Sequence, residues 1–388
     1  MPTTELLILG AGPYGLATAA FARHLGIDFT VVGSPLEYWR NRMPKGVRLR
    51  SGSVGQLDPL GIHTLERYLD GQAHRAARVF PLAVEVFVDY ADWFMEKAGI
   101  TTLSTAVGQL EYRAGRFEAF LENGETWTAR KVVAAPGLDF FRYLPPSLAA
   151  RLPPGRYTHS CAMVNFEPLA ARRCLVIGGR QSAFEWAALM LEAGAEHVHI
   201  AYRHETPRFA PSDWSWINPL VERTVETRGW FRRLPRLEKR ALEKRFREED
   251  RLKLEPWLGP RISKANVSLW PRTQVAACRS AREGSLRVRL SGGEQVEVDH
   301  IALAIGYQVD VRRVQYFSKS SILPRLKTVA GYPALDEDFQ TSLPGLYVTG
   351  LAALRDFGPL FGSLRGCPAS ARIIGRHVRA RAPRGPRV

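Results

Sequence analysis

The chain has 388 residues, more than one hydrophobic core normally holds, so we expect two or three domain-sized units. Its composition, 45% hydrophobic and 24% charged, is that of a globular protein, and no apolar run reaches the roughly 18 residues of a membrane span. The first apolar strand begins close to the N-terminus, which leaves no room for a cleaved signal and predicts a cytoplasmic protein.

The net charge is +16, from 54 basic and 38 acidic residues. Nucleic acid, an anionic surface and anionic cofactors all fit this sign, so the charge alone does not choose among them. Much of the excess lies in residues 223–264, where interleaved acids favour a solvated helical face over a phosphate track, and we expect no nucleic-acid partner. Residues 379–388, rich in proline and arginine, are predicted to form a basic flexible tail.

The cysteines are scattered along the chain without a Cys-x-x-Cys pair, at Cys161, Cys174, Cys278 and Cys367. This spacing argues against a disulfide framework, a zinc site and a redox-active dithiol. We therefore expect buried free thiols and no metal.

The first chemical signal is a glycine-rich turn after the apolar strand at residues 6–9 (LLIL), with the sequence GAGPYG at residues 10–15. In a βαβ unit the first glycine makes the tight turn and the second lets the backbone approach a pyrophosphate. The third permits close helix–strand packing, and the N-terminus of the helix attracts the anion. The turn therefore predicts a dinucleotide site at Gly10, Gly12 and Gly15.

The second strand, residues 29–32 (FTVV), ends in Gly33 and Ser34, where an acidic residue for a ribose hydroxyl is expected. Ser34 and Glu37 are the candidate substitutes. Residues 37–51 follow, rich in aromatic, basic and turn-forming residues, with too little periodicity for a regular element. Because long irregular loops often carry function, we expect this loop to touch a ligand.

The middle of the chain shows strand patterns. Residues 106–129 alternate like a three-stranded antiparallel meander, and residues 287–298 read as a hairpin. Three apolar strands end at a glycine, namely Gly137, Gly306 and Gly350. There are two explanations for these glycines. The main chain passes close to a cofactor there, or the glycines only form structural turns. A small-residue helix is predicted at residues 369–378.

A second glycine-rich turn, GGRQSA at residues 178–183, lies between an apolar strand and a helix, but Arg180 stands where the pyrophosphate-approach glycine is expected. Its side chain either fills the pyrophosphate space or turns outward to contact a phosphate. Arg203 follows the next strand, where a basic residue pairs with a ribose 2′-phosphate, so NADP fits better than NAD. A plain surface arginine is the alternative at Arg203.

Two residues are candidates for catalysis. Asp213 begins a stretch with two tryptophans (DWSWINP, residues 213–219) that lines a substrate channel, contacts the cofactor, or forms a buried aromatic patch. If that stretch is functional, Asp213 favours a cationic amine substrate. His159 precedes the second turn and is a candidate contact near the nicotinamide, with a structural role as the alternative.

With the two glycine turns, Trp39, residues 43–51 (MPKGVRLRS) and residues 179–185 (GRQSAFE), the chain resembles two-dinucleotide flavoproteins, specifically the flavin-containing and N-hydroxylating (lysine/ornithine N-monooxygenase-like) monooxygenases. The resemblance implies an α/β fold. An FAD-binding, doubly wound Rossmann-like domain would span residues 1–152 and 299–388, and a smaller inserted NAD(P)-binding Rossmann-like domain would span residues 153–298.

The resemblance also implies which residues bind the cofactors. The FAD candidates are Gly10, Gly12, Pro13, Tyr14, Gly15, Ser34, Trp39, Met43, Leu49, Arg50, Val107, Gly306, Gly350 and Phe361. The NADPH candidates are Gly178, Arg180, Gln181, Ser182 and Arg203.

The implied reaction is that of an NADPH-dependent monooxygenase: NADPH reduces FAD, the reduced flavin takes up O₂ as a hydroperoxide, and the distal oxygen passes to a small amine or sulfur compound. The chain departs from the family pattern at the missing acid after the second strand, at Arg180, and at Leu351, which follows Gly350 where many relatives have Asp. Two alternatives are an oxidase or reductase with a degenerate nicotinamide site, taking electrons from its substrate or a protein donor, and a non-enzymatic basic binding module.

Overall fold

The computed structural model describes residues 1–50, 56–71 and 80–380. Ser51 of the predicted ligand loop and residues 381–388 of the predicted tail lie outside these ranges. The strands are β1 (Thr3–Leu9), β2 (Phe29–Val32), β3 (Arg48–Leu49), β4 (Leu82–Ala83), β5 (Thr102–Leu103), β6 (Val107–Arg113), β7 (Arg116–Leu121), β8 (Thr126–Ala134), β9 (Tyr157–His159), β10 (Arg173–Ile177), β11 (His197–Ala201), β12 (Arg208–Phe209), β13 (Lys253–Leu254), β14 (Val267–Trp270), β15 (Val275–Ser280), β16 (Leu286–Leu290), β17 (Gln295–Val298), β18 (His300–Leu303), β19 (Thr328–Val329), β20 (Tyr332–Pro333) and β21 (Leu346–Val348).

The helices of the described ranges are α1 (Pro13–His24), α2 (Glu37–Asn41), α3 (Leu65–Gly71), α4 (Val84–Lys97), α5 (Pro146–Ala149), α6 (Gln181–Glu192), α7 (Asn218–Glu226), α8 (Trp230–Arg233), α9 (Arg236–Arg251), α10 (Gly259–Ile262), α11 (Gln315–Ser318), α12 (Leu354–Phe357) and α13 (Gly366–Ala380). Helix α9 has no buried residue, as the interleaved charges of this region predict. Within the described ranges, no helix is long and apolar enough to cross a membrane.

The first sheet has the order β5-β2-β1-β8-β7-β6, with β21 paired to β8. Strands β5, β2, β1, β8 and β21 run parallel, while β6, β7 and β8 form the predicted antiparallel meander. The buried residues of β1 form a continuous apolar run because a parallel sheet is covered on both faces. The carboxyl ends of β1, β8 and β21 therefore meet at one edge of this sheet, where ligands of open α/β sheets bind.

The second sheet is fully parallel, with the order β14-β11-β10-β18-β9. A separate antiparallel sheet, β15-β16-β17, contains the predicted hairpin. The two parallel sheets confirm the predicted fold class, a doubly wound domain accompanied by a second Rossmann-like domain.

Strand β18 corrects one detail of the predicted division. The boundary at residues 298/299 assigns β18 to the FAD-binding domain, but β18 pairs with β10 and β9 in the second sheet. Gly306 follows β18 and therefore lies at the edge of the second sheet. A pattern of apolar residues ending in glycine is the same for both sheets, so the sequence does not tell which sheet the strand joins. The other predicted boundaries stay predictions.

The ligand loop is also more regular than predicted. Residues 37–51 contain the five-residue helix α2 and the two-residue strand β3, which pairs with β4. Both elements are too short to produce a periodic pattern, and β3 depends on β4, which lies more than 30 residues later in the chain. Strand β4 leads directly into α4, so the loop is attached to the first domain by main-chain hydrogen bonds, including that from Val84 N to Val47 O at 3.0 Å.

The first glycine turn is set by crowding of the main chain. Gly10 has φ +109°, and a Cβ there would lie 2.3 Å from the carbonyl oxygen of Ala135. A Cβ on Gly15 would lie 1.8 Å from the carbonyl oxygen of Gly10, whereas one on Gly12 would meet nothing within 4 Å. Gly10 and Gly15 are thus required by the packing of β1, β8 and α1, and Gly12 is not.

This difference predicts opposite outcomes for two alanine substitutions. Gly15→Ala forces α1 away from Gly10 and should lower the free energy of unfolding by about 1–3 kcal/mol, the usual cost of overpacking. Gly12→Ala should leave the unfolding of the FAD-free protein nearly unchanged and instead weaken FAD binding. Urea unfolding of both variants and an FAD titration measure these effects; equal destabilisation by the two substitutions would contradict the assignment.

Candidate functional site

A cavity of about 590 Å³ lies between the ligand loop of the first domain and the second glycine turn. Its volume is within the range of small-molecule and cofactor pockets. The candidates that border it are Trp39, Met43, Leu49, Arg50, Gly178, Arg180, Gln181, Ser182, Arg203 and Gly306. All five NADPH candidates therefore lie in one cavity, together with part of the FAD set.

The second glycine turn repeats the geometry of the first. Gly178 has φ +145°, and a Cβ there would lie 2.3 Å from the carbonyl oxygen of Ala304, as Gly10 lies against Ala135. Arg180 is the N-cap residue of α6 with extended backbone, the position that Gly12 has in α1. The turn is thus preserved, and the substitution at Arg180 changes the side chain without changing the path of the main chain.

The Arg180 side chain is exposed, and across the described ranges it forms no ion pair and no hydrogen bond. Its pKa is lowered, first by desolvation and then by the guanidinium groups of Arg251, Arg203 and Arg247, while Asp250 opposes this effect. Several positively charged guanidinium groups therefore lie near one another at the mouth of the cavity, and a bound anion would reduce their mutual repulsion.

The residues of the second turn fit a pyridine nucleotide. Helix α6 begins at the cavity without a side-chain cap, so its first N–H groups are available to a phosphate. Gln181 is buried; its Oε1 accepts a hydrogen bond from Glu255 N at 3.1 Å, and its Nε2 has no partner among the described residues. A buried donor without an acceptor is unfavourable unless a ligand or water completes it.

The first turn fits a second dinucleotide. The open space in the Cβ direction of Gly12 gives a phosphate access to the start of α1, where Pro13 occupies the first helical turn. At the same sheet edge the hydroxyl of Thr349, just after β21, is buried and lacks a partner among the described residues. Gly33, with φ +137°, returns the chain towards Ala11, which places Ser34 beside this turn.

The C-terminal region reaches the first turn through Tyr14. The Tyr14 hydroxyl donates to the carbonyl oxygens of Phe361 and Ser363, both at 2.8 Å, and a Cβ on Gly350 would lie 3.6 Å from its ring. Phe361 itself is fully buried and its ring packs against Phe339. Tyr14 and Phe361 thus fix the wall of the first site, and direct contact of either ring with FAD stays a prediction.

The remaining FAD candidates occupy three different environments. Trp39 packs against the cores of both domains, Met43 against the second core, and Leu49 against the first. Val107 begins β6 and is buried in the first core. Their contacts with FAD stay predictions, but the ring of Trp39 clearly lies where the two domains meet.

Arg50 is held by protein groups. Its guanidinium donates to Glu255 Oε1 at 3.1 Å, Ser212 Oγ at 2.7 Å and the main-chain oxygens of Glu249, Asp250 and Lys253. Arg50 therefore fastens the ligand loop to the helical segment around α9. A role in FAD binding stays a prediction for a side chain that already has these acceptors.

His159 lies at the end of β9 in a polar cluster. Its Nε2 lies 3.2 Å from the carbonyl oxygen of Gly306, so this nitrogen carries the proton and donates, and Nδ1 accepts from the Cys161 thiol at 3.0 Å. Desolvation lowers the pKa of His159 and raises that of Cys161. These contacts give His159 a structural role at the edge of the second sheet.

A tyrosine pair next to this cluster joins the two domains and was not predicted. The hydroxyls of Tyr38, on α2, and Tyr307, after β18, are 2.5 Å apart and both residues border the cavity. Burial raises the pKa of Tyr38 to about 12, so the pair is neutral. The two residues are 269 positions apart, and neither has a sequence pattern that marks the contact.

Asp213 lies at the surface and outside the cavity lining. Its carboxylate accepts hydrogen bonds from Ser215 N and Ser215 Oγ, and it is 3.8 Å from Arg245. Trp216 packs under the Arg245 guanidinium, and Trp214 against Phe246. The aromatic stretch thus attaches α9 to the body of the protein, and a role for Asp213 with substrate stays a prediction without support from this position.

Glu185, the last residue of the GRQSAFE motif, is a further residue of this site that was not among the predicted site residues. It lies on α6, is 3% exposed, borders the cavity, and accepts a hydrogen bond from Arg48 N at 2.7 Å. Burial raises its pKa to about 8, against the opposing effects of Arg48, Arg50 and Arg261. The signal was present, because a carboxylate between Phe184 and Trp186 on a small-residue helix needs a partner.

Comparison with known proteins agrees with this geometry. The model of the pyridine nucleotide-disulphide oxidoreductase family matches residues 7–229. The indole-3-pyruvate monooxygenase YUCCA1 of Oryza sativa subsp. japonica is 26% identical over 212 residues, which are 52% of this chain and 49% of that protein. The probable indole-3-pyruvate monooxygenase YUCCA8 of Arabidopsis thaliana is 23% identical over 387 residues, 89% of this chain and 83% of that protein.

Among solved structures, the ornithine N-hydroxylase of Kutzneria sp. 744 superposes with a TM-score of 0.79 at 16% identity, covering 98% of this chain and 100% of that one. At this identity the likeness shows the fold. The chain spans about half the length of the rice relative.

The raised pKa of Glu185 predicts a pH-dependent loss of stability. Between about pH 4.5, the ordinary value, and about pH 8, the unfolded chain releases this proton while the folded chain keeps it. Stability therefore falls as the pH rises through this window. Glu185→Gln keeps an acceptor for Arg48 N and cannot ionise, so its free energy of unfolding should exceed that of the wild type by a margin that grows by roughly 1 kcal/mol for each pH increment of one within the window and levels off above about pH 8.

Urea unfolding at several pH values measures this difference. Glu192→Gln, on the same helix but exposed and paired with Arg261, is the matched control and should gain nothing across the window. A constant difference between Glu185→Gln and wild type from pH 5 to pH 9 would show that the carboxyl ionises normally.

Proposed function

We propose that this chain, which belongs to the pyridine nucleotide-disulphide oxidoreductase family, is an NADPH-dependent flavin monooxygenase that oxygenates a small amine or sulfur compound. Membership of the family confirms the predicted oxidoreductase class with a pyridine nucleotide. The complex of the Kutzneria enzyme, which contains reduced FAD and NADP+, supports FAD and NADPH as the cofactors of this chain. The oxygenation reaction and the class of substrate are the proposal.

The observation that carries the proposal is the single cavity shared by the ligand loop and the second glycine turn. Electron transfer from NADPH to a flavin needs the two cofactors side by side, and this cavity opens on both domains. Arg180 lines the cavity and is exposed, so its guanidinium is accessible to a phosphate at the start of α6. This supports a contact with phosphate over a blocked nicotinamide site.

The chain's own residues would bind and orient the two cofactors and exclude water from them. Within the described ranges, Arg180 and Arg203 supply unpaired guanidinium groups for phosphates, and α6 directs its N-terminus at the cavity. Trp39 and the Tyr38–Tyr307 pair close the junction between the domains, which limits the entry of water. The bound flavin supplies the oxygen-activating chemistry, and the protein supplies this enclosed site.

The cysteines favour transfer of electrons to O₂ over transfer to a protein disulfide. All four lie in the described ranges and all four are free. Cys161, Cys174 and Cys367 are buried as expected, while Cys278 is half-buried because it lies on β15 of the small antiparallel sheet. These four form no dithiol beside the cavity, so the reduced flavin would not pass its electrons through a disulfide of this chain.

The substrate class is proposed from two kinds of relatives. The plant relatives are indole-3-pyruvate monooxygenases, and the Kutzneria structure is an ornithine N-hydroxylase in a complex denoted FADred-NADP+-L-orn. Both are enzymes acting on small molecules, which suits a cavity of about 590 Å³. The ornithine N-hydroxylase supports an amine substrate with O₂ as the co-substrate, and a sulfur compound stays a prediction from the sequence.

The absorbance spectrum of the purified protein, recorded without oxygen before and after NADPH is added, tests the first half of the reaction. A flavin spectrum that NADPH bleaches is the expected result. On admission of air, NADPH consumption should then rise with the correct amine or sulfide and match the oxygenated product. FAD-loaded protein that NADPH cannot reduce would refute the proposal.

Arg203 is predicted to select NADPH. Arg203→Ala removes a charged hydrogen-bond donor and should raise KM for NADPH by about 10-fold or more, with little change in KM for NADH. The matched control is Arg279→Ala, an exposed arginine of β15 outside the cavity lining, which should leave both KM values unchanged. Steady-state kinetics with the two nucleotides measures the effect, and equal losses for NADPH and NADH would rule out a 2′-phosphate contact.

Arg180→Gly separates the proposal from the alternative with a degenerate nicotinamide site. Under the proposal, loss of the guanidinium weakens NADPH binding by a few-fold to about tenfold. Under the alternative, reduction of the flavin by NADPH appears only in the variant. Stopped-flow reduction without oxygen distinguishes the two outcomes.

A further inference from the structure

Helix α6 carries two buried polar side chains one turn apart, Gln181 and Glu185. Residues four apart lie on the same face of a helix. Here that face borders the cavity between the two domains. Gln181 accepts the amide of Glu255, and Glu185 accepts the amide of Arg48. The first contact ties α6 to the segment after β13, and the second ties it to the ligand loop of the other domain.

The surroundings of the second contact are apolar and closely packed. Val47 and Val84 of the first domain share a core with Ala183, Trp186 and Leu189 of α6. A Cβ on Gly46 would lie 3.2 Å from Leu189 Cδ2, so the loop lies directly on the helix. Within this contact, the carboxyl group of Glu185 is the acceptor for the main-chain N–H of Arg48, which would otherwise lack one; an unpaired N–H is unfavourable in an apolar setting.

The position of Arg48 decides what this bond controls. Arg48 and Leu49 form β3, and Val47 to Arg50 border the cavity next to α6. Moving the main chain at Arg48 therefore moves one wall of the cavity relative to the start of α6. Hydride transfer depends steeply on the distance and orientation of the reacting groups, and a displacement of about 1 Å can cost about a hundredfold.

We propose that Glu185 is a positioning residue for the reduction of the flavin by NADPH: its carboxyl group holds the main chain at Arg48, and with it the ligand loop, against the nucleotide-binding helix. This inference rests on the proposed function, since it assigns a role within the same cavity. Glu185 acts on the reaction through the ligand loop, by its hydrogen bond with Arg48 N.

Hydrogen exchange of the Arg48 amide tests the bond itself without any turnover. Glu185→Met removes the acceptor at similar length, and Glu185→Gln keeps it. The Arg48 amide should exchange about tenfold faster or more in Glu185→Met and at nearly the wild-type rate in Glu185→Gln. Glu85→Met is the matched control, because Glu85 accepts the amide of Gly46 in the same loop from within the first domain. In this control variant, faster exchange should be confined to the amide of Gly46.

The kinetic test is reduction of bound FAD without oxygen. In Glu185→Met the rate at saturating NADPH should fall about tenfold or more, with KM for NADPH changed by less than about threefold, because the loop and not the nucleotide contact is disturbed. FAD content and reduction by dithionite should stay as in wild type. Glu185→Gln should restore the rate.

These measurements separate the two proposals. Wild-type protein that NADPH cannot reduce would refute the proposed function, while amide exchange would still decide whether Glu185 holds the loop. Unchanged exchange at Arg48 in Glu185→Met, or unchanged reduction by NADPH despite faster exchange, would overturn the positioning role. Glu185→Leu replaces Glu185→Met if the latter does not fold.

Discussion

The close crossing of β1 and α1 at Gly10 and Gly15 is the constraint on which the first domain depends. A Cβ on Gly15 would be 1.8 Å from the carbonyl oxygen of Gly10, so the helix runs against the main chain of the strand with no side chain between them. Helix α13 packs closely on side chains of α1, since a Cβ on Gly375 would lie 2.5 Å from the ring of Phe21. The sheet edge, the start of α1 and the C-terminal helix are therefore positioned together.

The second domain has a similar glycine turn, in which the second and third glycines of the first turn are replaced by other residues. Gly178 faces Ala304 as Gly10 faces Ala135, which keeps the turn, while Ala183 replaces the third glycine and Arg180 the second. Ala183 has a Cβ where Gly15 has none, so the helix and strand of the second turn need more space between them. The substitution at Arg180 adds a charge at the one position of the turn where a side chain meets open space in the first domain.

The sequence predicts those parts of the molecule that depend on neighbouring residues. Both glycine turns, the meander, the hairpin and the solvated helix α9 are local patterns, and the structure contains them all. Contacts between distant segments escaped prediction because no local pattern encodes them. Arg50 meets a segment about 200 residues away, Tyr38 meets Tyr307, and β18 joins the second sheet although its own sequence suits either.

The junction of the two domains combines an apolar contact with a few buried polar groups, and the two have different consequences. Trp39, Met43 and Val47 bury apolar surface, which holds the domains together but leaves their relative position loosely defined, since hydrophobic contact is non-directional. Hydrogen bonds are directional and fix positions. The bond from Arg48 to Glu185 and the Tyr38–Tyr307 pair lie on the lining of the same cavity, so these directional contacts of the junction are concentrated at the cavity that we propose for the reduction of the flavin.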